Sequence, residues 1–405
     1  MRKILSTAMA ALIMTACSTK TQAPAQSSFS DKEYEMAAST SSFATKLFYE
    51  VYKSEKGNEN FCLSPMSASW ALAMAANGAG AATAQEIYNA LGFDGNYNAD
   101  SINVYLQKCG NRLATLDERV KVETANSAWI SEKLKVDKEF IKKNRTFYDA
   151  EVRNITFDAT AVKLINDWCS QKTAGKINEI VKELNPATRL VLINALYFNG
   201  RWKAPFLKER TTEEFFTKEN GEKVKVNMMH QKFDTQYYED ETVQMASKPF
   251  GQGTFNMYFV LPREGVAMES AAEAFAMNFV QWCNDARRYE VELSLPRFKA
   301  DYGTSLKEPL QAIGMQSAFT PGSADFSGIT KKESIYIGNI LQKTFVKVDE
   351  EGAEAAAVTS VMLEAMAAPP STPKAMKIDR PFFYVIRENG SGNILFIGKS
   401  GHPKE

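Results

Sequence analysis

VDEEGAEAAAVTSVMLEAMAAPPSTPKAM, residues 348–376, is the stretch on which the fold turns. Three compositions follow one another in it. Acidic residues around Gly352 make a hinge, and small and β-branched residues run from Ala353 to Met366. Pro369, Pro370 and Pro373 then form a stretch that continues neither a helix nor a central strand, as expected of an exposed tether. Numbered alternately, one face carries Ala353, Ala355, Ala357, Thr359, Val361, Leu363 and Ala365, and the other Glu354, Ala356, Val358, Ser360, Met362, Glu364 and Met366. Both charges fall on one face. That suits a strand with one side buried, although the alanine content alone would equally favour a helix followed by a proline-rich linker.

The flanking segments read as parts of one mixed α+β domain over residues 29–405, with no fixed-period repeat. Leu190 to Phe198 is a nearly continuous apolar run, predicting a strand buried on both faces, and Asn194 in its middle must find partners. Thr254 to Leu261 and Val291 to Leu295 predict further strands, closed by Pro262 and Pro296. Phe382 to Arg387 and Asn393 to Ile397 flank Glu-Asn-Gly-Ser-Gly and predict a terminal hairpin. Near the other end, apolar residues at helical spacing from Asp31 to Lys53 predict an amphipathic helix. Ser64-Pro65 opens a second helix, with serine as cap and proline in the first turn, that stops at Gly78 and Gly80.

Composition excludes several function classes. Lys plus Arg and Asp plus Glu each number 48, so no basic excess points to nucleic acid. Only His230 and His402 are present, which argues against histidine triads and His-rich metal sites; His230 reads as a surface or interface residue. No nucleophile elbow, zinc-protease or Ca²⁺-loop pattern occurs, and Gly398-Lys399-Ser400 lacks the leading glycine of a phosphate loop, position 393 being Asn. The expectation is a chain that is not an enzyme and holds no cofactor or metal. Cys62, Cys109, Cys169 and Cys283 are widely spaced and predict free, buried or half-buried thiols. Arg2 and Lys3 precede an apolar run from Ile4 to Ala16, too short to span a bilayer and shaped like a secretory signal. It ends in Met14-Thr15-Ala16-Cys17, which resembles a bacterial lipobox with Cys17 as the lipidated residue; an ordinary signal with a chance cysteine is the alternative. Residues 1–16 are thus expected to be a signal peptide and 17–28 a flexible tether, placing the chain in a bacterial cell envelope, on a membrane only through that lipid.

An ordered set of motifs then carries a family resemblance. Asn60-Phe61-Cys62-Leu63-Ser64-Pro65-Met66-Ser67, Thr173-Ala174-Gly175-Lys176-Ile177, Leu192-Ile193-Asn194-Ala195-Leu196-Tyr197-Phe198-Asn199-Gly200-Arg201-Trp202, the Gly352 hinge, Asp379-Arg380-Pro381-Phe382 and Phe396-Ile397-Gly398-Lys399 together resemble the serpins, the serine protease inhibitor superfamily, from about residue 32 onward. The resemblance implies a large central mixed sheet with helices around it and an exposed reactive loop at about 350–376. It implies a suicide inhibitor: after a protease cuts the loop, its N-terminal part inserts into the sheet and drags the acyl-enzyme along.

Site residues follow from the same resemblance. The hinge comprises Glu350, Gly352, Ala353, Glu354, Ala355, Ala356 and Ala357, of which the small, inward-facing Ala353, Ala355 and Ala357 can slide between two strands. Counting fourteen beyond Gly352 puts the reactive bond between Met366 and Ala367, with Met362, Leu363 and Ala365 as alternative registers; Lys374 would leave too long an inserted strand. Ser64, Ser67 and Asn194 match the family's polar shutter beneath the insertion gap, but Gln342 stands where a histidine is usual. Trp202 and Arg297 belong to the region where the loop enters, with Arg297 expected to pair with Glu350 at a solvated sheet edge. The implied partners are serine proteases in covalent complex, with some cysteine proteases as a further class, and the implied state is a monomer. A noninhibitory, surface-anchored binding protein of the same fold is the competing reading.

Overall fold

Twelve consecutive residues, Pro65–Ala76, form a helix that is buried on every side, which requires packed structure all around it. The computed structural model describes residues 29–55, 57–93, 95–173, 175–185, 188–353 and 373–405. Among these residues the helices are α1 (Asp31–Ser54), α2 (Pro65–Ala76), α3 (Ala81–Ala90), α4 (Ala99–Thr115), α5 (Lys138–Tyr148), α6 (Ala159–Lys172), α7 (Met268–Asp285) and α8 (Lys307–Ala312). The strands are β1 (Asn60–Leu63), β2 (Val120–Ser131), β3 (Glu151–Ile155), β4 (Leu190–Arg201), β5 (Thr212–Thr217), β6 (Lys223–Glu239), β7 (Val243–Phe250), β8 (Phe255–Pro262), β9 (Arg287–Pro296), β10 (Phe298–Ser305), β11 (Asn339–Val348), β12 (Gly352–Ala353), β13 (Lys374–Lys377), β14 (Phe382–Glu388) and β15 (Ile394–Ser400).

Two sheets result. The central one runs β10-β11-β12-β4-β2-β3 and mixes parallel and antiparallel pairs; the other follows β1-β15-β14-β8-β7-β6-β9-β13, with β5 on β6. Helix α2 lies between them, touching β4 of one and β15 of the other. Strand β4 shows why its sequence is apolar throughout. Val191, Ile193 and Ala195 face a cluster with Trp129, Ile165 and Trp168, where α6 covers the sheet, while Leu192, Leu196 and Phe198 face the main core. On the second sheet, Phe48 of α1, Phe275 of α7 and Phe383 of β14 meet with ring centroids 4.9–5.4 Å apart.

The predicted elements stand near their expected bounds, with two corrections at helix ends. Ser64 precedes α2 but its hydroxyl makes no capping bond, because Pro65 fills the first helical position and the polar contacts of Ser64 run through its backbone. The helix ends at Ala76, and Gly78 serves close packing: a Cβ there would stand 2.2 Å from Ile329 Cγ1. Strands β8 and β9 include Pro262 and Pro296 as their last residues. Cys62, Cys109 and Cys169 are buried and Cys283 half-buried, all free, and burial raises their thiols to about 11 or 12.

Candidate functional site: the entry of the hinge into the central sheet

Strands β4 and β11 run parallel and pair directly only from Asn339 opposite Val191 to Gln342 opposite Asn194. Above that level they part, and β12 lies between them. Ala353 is opposite both Gly200 of β4 and Val348 of β11, and Gly352 is opposite Arg201. Two residues of the expected hinge, Gly352 and Ala353, are therefore already in the sheet, and the loop's far end, from Lys374, lies in β13. Gly352 is required by close approach. A Cβ there would sit 2.1 Å from the Gly200 carbonyl oxygen and 2.7 Å from Arg201 Cα. Ala353 points into the main core and is 1% exposed, so a methyl group fills the space available. Glu354, Ala355, Ala356, Ala357, Met366 and Ala367 lie outside the described residues, as does Cys17.

Three hydrogen bonds to backbone carbonyls fix the base of the hinge. Trp202 N donates to the Glu351 carbonyl, Phe206 N to the Glu350 carbonyl, and Trp202 Nε1 to the Asp349 carbonyl, each at 2.9 Å. The Trp202 ring stacks on Phe250 with centroids 4.2 Å apart. Beneath this turn lies Lys248, a residue the sequence reading did not single out. It is buried, donates to the Ala204 carbonyl at 2.9 Å and to Gln231 Oε1, and faces the rings of Phe206, Phe233 and Trp202 at 4.2, 4.5 and 5.4 Å. Burial pushes its ammonium well below the usual lysine range.

Arg297 and Glu350 meet as expected, but in different surroundings. The guanidinium donates twice to Glu350 Oε1, at 2.6 and 2.9 Å, and Thr211 Oγ1 donates to the same oxygen at 2.6 Å. The Glu350 side chain is only 3% exposed, so this is a buried carboxylate with a partly exposed partner, not a solvated edge pair. The reason is that the turn through Phe206 and Thr211 closes over it from an element remote in sequence.

The shutter residues come together in a different pattern from the expected one. Gln342 pairs twice with the Ser64 backbone, accepting from its N–H and donating to its carbonyl, both at 2.8 Å. Asn194, directly across the sheet, donates instead to Asn126 Oδ1. Ser64 Oγ, Ser67 Oγ and Asn194 Oδ1 are buried and have no hydrogen-bond partner among the described residues. His230 bridges Ser294, Thr212 and Glu214 on the surface of β6.

A sheet that parts to admit a glycine-led strand from a neighbouring loop matches the family that the motifs resemble, and a model of that family, "Serpin (serine protease inhibitor)", matches residues 38–403. The chain belongs to the serpin family. Its members are protease inhibitors rather than enzymes, some being noncatalytic binders. Human neuroserpin is 29% identical over 370 residues, covering 88% of this chain and 89% of that one. Among solved structures, the thermophilic serpin Tengpin in its native state has a TM-score of 0.84 at 32% identity over 93% of this chain and 95% of that chain. Human thyroxine-binding globulin, complexed with thyroxine, also reaches 0.84, at 29% identity over 92% of this serpin and 100% of that chain.

Electrostatics at the hinge base give a pH prediction. Burial alone would raise the Glu350 carboxyl, but the Arg297 guanidinium and the Thr211 hydroxyl outweigh it and hold the group below the usual glutamate range. A carboxyl depressed in the folded state contributes stability above its unfolded pKa, lost as pH falls through the folded value. Glu350→Gln should therefore cost about 1.5–3 kcal/mol at pH 7, the worth of hydrogen bonds to a charged group. Melting curves of both proteins from pH 7 to pH 3 should converge as the wild-type carboxylate is protonated. A constant gap would show that the charge of Glu350 does not hold the hinge base.

Proposed function

We propose that this serpin is a suicide-type inhibitor of extracellular serine proteases with elastase-, chymotrypsin- or subtilisin-like specificity. The observation that carries the reading is β12: Ala353 paired on both sides and Gly352 paired on β4, at the mouth of a gap between β4 and β11. In the mechanism the protease serine attacks the Met366 carbonyl carbon, the Met366–Ala367 bond breaks, and the proton passes to the new amine of Ala367. The acyl ester stays on Met366 while the segment behind it extends β12.

Register arithmetic supports this path. Ala353 faces Gly200 and Val348; six residues further along the same antiparallel registers, Thr359 comes level with Asn194 and Gln342. Those two are already partners of each other across the gap, so the registers agree. Thr359 shares the inward face with Ala353, and its hydroxyl would arrive where Ser64 Oγ, Ser67 Oγ and Asn194 Oδ1 lack partners. Strand β4 continues down to Leu190, level with Leu363, so a cut at Met366 leaves enough chain to fill the whole strand. Extending β12 from Ala353 to Met366 would carry the enzyme about 44 Å at 3.4 Å per residue.

Three outcomes test the proposal. Cutting the loop with an elastase should raise the melting temperature by tens of degrees, because the native sheet is parted and the extended one filled, and mass spectrometry should find a released peptide starting at Ala367. An unchanged melting temperature would favour a noninhibitory carrier instead. Ala353→Arg should turn the inhibitor into a substrate. Because Ala353 already lies between β4 and β11, an arginine there would expel β12 from the sheet, and returning its guanidinium to this 1%-exposed position after cleavage costs several kcal/mol; each ~1.4 kcal/mol slows insertion tenfold, so deacylation wins. On a gel that variant should give cleaved protein and free enzyme; an SDS-stable complex at full yield and rate would refute insertion through this hinge.

The proposal extends to location. The Thr15-Ala16-Cys17 sequence supports a lipid on Cys17 and a bacterial cell envelope as the site of action, with the 17–28 tether carrying the domain. Cys17→Ser should move the protein from the membrane fraction to the soluble one; a variant that stays with detergent-phase lipoproteins would overturn the assignment.

A further inference from the structure

The far end of the loop segment is held by contacts that insertion does not use. Beyond Pro373 the chain joins β13, which lies parallel on β9 with Lys374 opposite Val291 and Lys377 opposite Ser294. Lys374 Nζ donates to Glu239 Oε1 at 2.8 Å and stands over the rings of Tyr289 and Tyr237 at 5.4 and 6.0 Å. The other carboxylate oxygen of Glu239 accepts from Tyr237 Oη at 2.7 Å and from Arg263 Nη2 at 2.8 Å. Gln244 Nε2 bridges the same tyrosine oxygen, at 2.7 Å, to the carbonyl of Ala375, at 3.1 Å. Both residues flanking the Lys374–Ala375 bond are thus tied down, one by its side chain and one by its backbone.

That bond has a particular place in the sequence. Between Lys347 and Lys374 there is no lysine or arginine, so it is where a protease with an acidic primary pocket can cut this segment. Such a cut would be wasted. Gly352 to Lys374 spans 22 residues against 14 to Met366, a tether with eight residues of slack that β4 and β11 have no length to take up.

We propose that Glu239, with Tyr237, Arg263 and Gln244, forms a latch that withholds Lys374 from trypsin-like proteases and so restricts cleavage to the apolar positions upstream. The latch rests on the inhibitor reading for its purpose and on geometry for its existence. Proteolysis needs the bound segment extended and the lysine side chain free to enter the enzyme's pocket, which requires β13 to open locally from β9. The Lys374 ammonium, with Tyr237 and Arg263, holds the Glu239 carboxyl down at about 2, so the latch stays charged wherever such proteases are active.

The experiment compares full-length wild type with Glu239→Ala and Glu239→Gln during limited trypsin digestion, counting the 375–405 peptide against intact protein by mass spectrometry after denaturation. Removal of the acidic partner should raise the rate at Lys374 about three- to fivefold, the scale of a partly exposed ion-pair network. Glu239→Gln should fall between, and Lys374→Ala should give no such fragment. Melting temperature and complex formation with elastase should match wild type. Equal rates in wild type and Glu239→Ala would overturn the latch, as would a rise that merely tracks a fall in melting temperature. If wild type forms no elastase complex but Glu239→Ala still accelerates the Lys374 cut, the inhibitor reading falls and the latch stands.

Discussion

Everything distinctive in this molecule depends on one unmet pairing requirement in the central sheet. Strands β4 and β11 share only four residues of direct register, at their lower ends. Backbone groups on strands want partners, and a sheet that parts midway is held by packing on both faces: α6 on one side, α2 and the second sheet on the other. Between them the chain places Gly352 and Ala353. The physical constraint is narrow. Backbone passes so close to backbone at Gly200 and Arg201 that only glycine can lead, and only a side chain as small as alanine can follow into the core.

The base of that segment is built as a fixed pivot. Trp202 and Phe206 hold it by backbone bonds, Arg297 and Thr211 hold the Glu350 carboxylate, and Lys248 supports the turn from below. A pivot of this kind sets the direction and register of β12. The buried ammonium inside a ring of aromatic faces is a costly way to hold a turn, since burial opposes its charge, and its two acceptors with three ring faces offset part of that cost.

How much of this was legible depended on whether the signal was local. The start of the hinge could be read because Gly352 stands out among acidic and small residues, and β4 could be read because burial on both faces leaves a nearly continuous apolar run. Partnerships between distant segments were legible only through family resemblance, which gave Arg297 with Glu350 but not its burial, because nothing near Glu350 in sequence reports that Thr211 and Phe206 fold over it. Lys248 carried no signal: a lysine before a proline in a strand looks solvent-facing until the opposing rings are known. The shutter misled in detail for a related reason. Residue types were right for a shared network, but the backbone of Ser64 competes for Gln342 and leaves Asn194 to Asn126.

Gln342 carries one more implication. An imidazole at that place, facing Asn194 across the seam, would gain or lose a proton between pH 5 and 8, and the ease of parting the two strands would follow the surroundings. A carboxamide has no such equilibrium, and its two hydrogen bonds to Ser64 persist in acid and in mild alkali alike. The seam of this protein is therefore insulated from the proton activity of its medium.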